Sequence, residues 1–151
     1  MSNLNPRSTN PNPVHILLVA DNRNGLMARK AILAELGYRI TIATRPIQAL
    51  ETFRSESFDM VITDYNMPEM KGVDLIRHLR ADRPAIPVIL ISGYVEALGL
   101  NEANTRADAV IQKSANEVSH LVLAVTRLLR RKAPRKPANT QTSAVQKAKK
   151  K

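Results

Sequence analysis

Cysteine and tryptophan are absent from the 151 residues, and phenylalanine and tyrosine together number five. The first absence excludes disulfides, thiolate metal centres and a cysteine nucleophile, and it fits a reducing compartment. Cytoplasmic residence is the expectation. Scarce aromatics leave any core to Leu, Ile, Val, Ala and Met, and they argue against interleaved stacking on nucleic-acid bases. No apolar run approaches the roughly 18 residues needed to cross a bilayer. The Asn- and Pro-rich first thirteen residues lack the apolar stretch of a signal peptide. No Gly-x-Gly-x-x-Gly follows the first apolar run, which removes the usual dinucleotide site. Acidic residues are missing from 130–151, which holds nine Lys and Arg. The remaining positions carry fourteen basic residues against all thirteen acids, so the net charge of +10 belongs to a tail.

What is present alternates. Residues 1–13 read as a disordered lead and 132–151 as a flexible basic extension, leaving one domain over 14–131. Inside it, short apolar runs at 14–19, 39–43, 60–63, 87–91 and 109–111 read as buried strands. Helix-length amphipathic segments follow at 25–36, 46–55, 72–81 and 116–129. In the last of these, Val118, Leu121, Val122, Val125, Leu128 and Leu129 form one apolar stripe. The weakest helix is 95–104, with Gly99 inside it. Pro46 suits a first helical turn, and Gly37 suits a helix stop. Regular alternation of strand and helix predicts an α/β fold: a doubly wound five-stranded parallel sheet, flavodoxin-like order 2-1-3-4-5, with helices on both faces.

In such a sheet, ligands bind at the carboxyl ends of the strands. Asp21, Asp64 and Ser92 stand at or just past the ends of strands one, three and four, and Lys113 follows strand five. Two carboxylates gathered there repel unless a hard cation lies between them, and Mg²⁺ accepts such oxygen ligands. A carboxylate nucleophile with a cation, a Lys and a hydroxyl is equipped for phosphoryl transfer.

These residues carry a resemblance. The stretches Ile16-Leu17-Leu18-Val19-Ala20-Asp21-Asn22, Asp64-Tyr65-Asn66-Met67-Pro68-Glu69-Met70-Lys71-Gly72, Pro87-Val88-Ile89-Leu90-Ile91-Ser92-Gly93 and Ile111-Gln112-Lys113 resemble the receiver domain of two-component response regulators. The resemblance implies that Asp64 accepts a phosphoryl group from a histidine kinase or phosphotransfer protein. It implies that Asp21, Asp64 and the backbone carbonyl of Asn66 ligate Mg²⁺, and that Ser92 and Lys113 contact the phosphoryl group. Three positions depart from the family pattern. Ala20 stands where the first of two adjacent acids is usual, with Glu69 as a nearby spare acid. Ser114 replaces the proline after the Lys. Val110 replaces the aromatic that swings inward with the Ser/Thr, and Tyr94 is the substitute at hand.

The function expected is a phosphorylation-controlled switch rather than an enzyme, acting on an unidentified downstream protein through its own surface. Two alternatives stand beside it: a phosphorelay intermediate, and a degenerate receiver that binds partners without phosphorylation. Asn66, two residues after Asp64, cannot act as the general acid–base of an aspartate-dependent phosphatase. His15, His78 and His120 lack metal-ligand spacing and read as structural or exposed. The 130–151 stretch suits non-specific contact with nucleic acid or another acidic surface, without sequence recognition.

Overall fold

The computed structural model describes residues 13–132. The expected lead and basic tail therefore lie, but for one residue each, outside the described residues. Along the chain run β1 (His15–Val19), α1 (Arg23–Glu35), β2 (Arg39–Ala43), α2 (Pro46–Ser55), β3 (Met60–Asp64), α3 (Gly72–Asp82), β4 (Val88–Ser92), α4 (Val95–Leu98), α5 (Glu102–Thr105), β5 (Ala109–Gln112) and α6 (Glu117–Lys132). The strands pair in parallel in the order β2-β1-β3-β4-β5, as the alternation predicted.

Runs rich in Val, Ile and Leu form β1, β3 and β4, each buried along its whole length. Such runs suit the centre of a parallel sheet covered on both faces. Because side chains alternate across a strand, the sheet divides the core in two. Leu17, Val19, Val61, Val88 and Leu90 pack with Leu50 and Phe53 of α2 and Leu75, Ile76 and Leu79 of α3. On the other face Ile16, Leu18, Ile62, Ile89 and Ile91 pack with Leu26 and Leu33 of α1 and Leu121, Val125 and Leu128 of α6. No helix among the described residues is long and apolar enough to cross a membrane.

Strand ends fall within a residue or two of the sequence boundaries, and the differences matter in two places. β3 extends to take in Asp64, and β4 extends to take in Ser92. The helix expected over 95–104 is instead two single turns. Gly99 closes α4 at φ +63, a left-handed conformation that glycine adopts without strain. Asn101 and Asn104 then form a reciprocal capping box that starts α5.

One edge of the sheet, where the strands begin, is tied by Arg80 of α3. Its guanidinium donates to the carbonyls of Arg106 at 2.8 Å, Pro84 at 3.1 Å and Ile86, and to Asp108 at 3.0 Å. Asp108 in turn accepts from the Val88 amide at 2.8 Å. His15 is structural: its ring nitrogens lie 2.9 Å from Ser57 O and 2.6 Å from Thr41 Oγ1, and the ring packs on Phe58.

At the opposite edge Gly72 allows α3 to start directly against the end of β3. A β-carbon there would lie 2.3 Å from Asp64 O and 2.9 Å from both Tyr65 Cα and Leu90 Cδ1. The Gly72 amide donates to Tyr65 O at 2.7 Å, fixing this approach. Gly72→Ala must push backbone away from backbone, so urea unfolding should show a loss of about 2 kcal/mol, in the range of core overpacking. An unchanged midpoint would mean the contact relaxes freely.

Candidate functional site

Parallel register brings the sequence-predicted residues to one rim. Asp64 pairs with Ile91, which places Ser92 one residue beyond on the neighbouring strand. The Lys113 amide donates to Ser92 O at 2.8 Å. From there the Lys113 side chain reaches back, its Nζ 3.6 Å from Asp64 Oδ2. Asp64 itself is 1% exposed. Ser92 is buried, and its hydroxyl accepts from the Tyr94 amide at 3.0 Å. The Tyr94 side chain is 61% exposed, so it does not occupy the inward aromatic position in this conformation.

Other expected residues lie further out. Asp21 is exposed, and no hydrogen bond or ion pair joins it to Asp64 among the described residues. Nor does Asp21 cap the following helix: Asn22 does, its Oδ1 accepting from the Gly25 amide at 3.1 Å. The Asn66 side chain accepts from Lys71 Nζ at 2.8 Å. Glu69, at φ +74, pairs with Arg45, so the spare acid is already engaged.

The group closest to Asp64 is one the sequence reading passed over. Arg29 of α1 is 3% exposed, a burial rare for a charged residue unless it is paired. Its Nη1 donates to Asp64 Oδ1 at 3.1 Å, and its Nε donates to Glu117 Oε2, at the start of α6, at 2.7 Å. Each Asp64 oxygen therefore faces its own cation, Arg29 on one side and Lys113 on the other. The signal was present in the helical period. Leu26, Arg29 and Leu33 are the buried positions of α1, with a guanidinium standing in an otherwise apolar stripe. Glu117 gave no such signal, because an acid in a first helical turn is explained by the helix dipole alone.

Burial raises the Asp64 carboxyl above the usual carboxylate range. The Arg29 charge, the Lys113 charge and the Arg29 hydrogen bond pull against that, while the Glu117 charge adds to it. The two cations are thus what favour the ionised form at this position.

Comparison with known proteins agrees with the geometry. The sequence model of the response regulator receiver domain matches residues 16–126. The transcriptional regulatory protein ZraR of Klebsiella oxytoca is 36% identical over 81 residues, 54% of this chain. That stretch is only 18% of ZraR, so the chain spans a small part of the length of this curated relative. A receiver domain protein of Clostridium thermocellum superposes with a TM-score of 0.72 at 26% identity, over 79% of this chain and 96% of that one. TrrA of Thermotoga maritima, solved with Mg²⁺ and beryllofluoride, gives 0.69 at 30% identity over 76% and 98%. TrrA was also solved with the histidine kinase ThkA, and that structure matches at 31% identity, with a TM-score of 0.69 over 77% and 98%.

Mg²⁺ demands near-octahedral oxygen ligation, usually with one or two carboxylates contributed by the protein. Ala20 supplies no side-chain oxygen, which leaves Asp21 as the only carboxylate in the loop after β1, and Asp64 Oδ1 is already bonded to a guanidinium. In this arrangement the donor set does not fit the ion, because a fixed positive charge stands against the carboxylate that would hold it.

Replacing Arg29 by methionine leaves Asp64 buried beside Lys113 alone. The expected cost at neutral pH is about 3 kcal/mol, the scale of breaking one side of a buried ion pair. An acid whose folded pKa lies above its unfolded value binds its proton more tightly when folded, so its penalty is present above that pKa and relieved as pH falls. Urea titrations should therefore show the Arg29→Met loss shrinking in acid. A loss that grows in acid would contradict the pairing.

Proposed function

The chain belongs to the response regulator receiver domain family, and on that premise we propose that it accepts a phosphoryl group onto Asp64 from the phosphohistidine of a histidine kinase. The observation that carries this reading is the Asp64 carboxylate at the sheet rim with Lys113 Nζ 3.6 Å away. In the step, the carboxylate oxygen forms the new P–O bond as the P–N bond of the donor breaks. The electron pair leaves with the imidazole, and Lys113 offsets charge on the equatorial phosphoryl oxygens. The complex of the similar protein TrrA with ThkA supports a histidine kinase as the donor class. Asn66 cannot take a proton from an attacking water, which favours a persisting acyl phosphate over rapid turnover, and so a switch over a phosphatase.

Output is assigned to the segment that follows Ser92. The Ser92 hydroxyl, which accepts from the Tyr94 amide, still has its own O–H to donate to a phosphoryl group on Asp64, and a pull on it would pass to the segment that begins at Tyr94, where α4 and α5 are single turns. The Mg²⁺ expected from the family would draw on Asp21, Asp64 and the Asn66 carbonyl, and Arg29 already occupies one Asp64 oxygen.

A phosphorylation-independent interaction module is the second reading, favoured by the burial of Asp64 beneath Arg29. Incubation with phosphoramidate followed by intact mass analysis decides between them. One phosphoryl adduct is expected on the wild type and none on Asp64→Asn. No adduct on the wild type, under conditions that label a control receiver, would favour the module.

A further inference from the structure

Arg29 does more than pair a buried acid. A guanidinium has five N–H donors in a rigid fork, and two are spent, one on Asp64 and one on Glu117. The Nη2 end has no hydrogen-bond partner among the described residues. The residue beside it is Gly25, at whose β-carbon position the nearest atoms are Arg29 Nη2 at 3.8 Å and Cζ at 3.9 Å. Free donors thus remain next to the carboxylate oxygen that Nη1 already binds. Planar, permanently charged and forked, a guanidinium is matched to phosphate oxygens in the way a carboxylate-bound cation is.

Charge counting points the same way. With Ala20 in place of an acid, the rim holds Asp64, Glu117, Arg29 and Lys113 in close contact, two negative and two positive charges. Within that ion-paired cluster the charges already balance, and Asp21 is the one expected carboxylate ligand that stands outside it. A phosphoryl group on Asp64 would add negative charge, and the nearest fixed cation to receive it is the one already bonded to that side chain.

We infer that Arg29 is a phosphoryl-binding residue of this site and takes the charge-neutralising place of a divalent metal, so that Asp64 is modified without one. The inference rests on Asp64 being the acceptor. Phosphoramidate donates with the same balance as phosphohistidine: its P–N bond breaks, the Asp64 oxygen bonds to phosphorus, and nitrogen leaves as ammonia after taking a proton from solvent.

The test follows adduct formation on the full chain by intact mass, with phosphoramidate, in EDTA and in Mg²⁺. The wild type should be modified at the same rate in both. Arg29→Met should slow modification in EDTA by about a hundredfold, the loss typical of removing one charge-stabilising donor. The double variant Arg29→Met/Ala20→Asp, which restores a second acid and removes the competing cation, should regain the adduct only with Mg²⁺. Modification of the wild type solely in Mg²⁺ would overturn the inference and needs no substitution to observe. So would an adduct on the double variant in Mg²⁺ with none on the wild type: Asp64 would stand as acceptor and Arg29 would be a lock on it. No adduct on either protein in either condition would remove the acceptor reading itself.

Discussion

A single buried carboxylate governs the arrangement of this molecule. Asp64 ends a strand that is covered on both faces, where an unpaired charge is costly. The sheet cannot supply a partner, since its neighbours on β1 and β4 are apolar. Partners therefore arrive from outside the sheet: Arg29 from one helix, Lys113 from the loop beyond β5, with Glu117 of the last helix holding Arg29 in turn. Elements far apart in sequence are thereby fixed at one point. Buried ionic groups of this kind are weak contributors to net stability and better explained as specifying an arrangement. Here the arrangement specified is two cations held against one buried carboxylate.

The parallel sheet provides the geometry for that cluster. Short strands of Val, Ile and Leu end together at one rim, and three of the five close on a polar residue, Asp64, Ser92 and Gln112. α3 starts against the end of β3 only because Gly72 has no side chain. The loop between Asp64 and Gly72 is consequently compact, and Asn66 and Lys71 bond across it at 2.8 Å. The same economy appears past Ser92, where two single turns replace one longer helix.

Much of this was legible in the sequence. Central strands announce themselves because burial on both faces demands continuous apolar runs. Asp64, Ser92 and Lys113 were readable because strand ends in such a sheet share an edge. The turn at 99–101 was harder, since a glycine inside an amphipathic segment marks weakness without saying whether the helix bends, ends or restarts. Asp21 and Asn22 are both good helix caps, and sequence alone does not choose between neighbours with equal chemistry. Arg29 escaped for a different reason. A long basic side chain on an apolar stripe ordinarily carries its charge out to water along its own methylenes. Only the packing of α1 against α6 shows that this one turns inward.

The Arg80 contacts divide the domain into unequal halves. Where the strands start, one guanidinium clasps three carbonyls and a carboxylate, tying the loops on that side to α3 and, through Asp108, to β4. Where they finish, the segment after β4 is held by short caps and single hydrogen bonds. The rim that carries Asp64 is thus tied less firmly beside β4 than the edge where the strands start. A displacement at that rim would meet α4 first and end at Arg106, the cap of α5, whose carbonyl Arg80 holds.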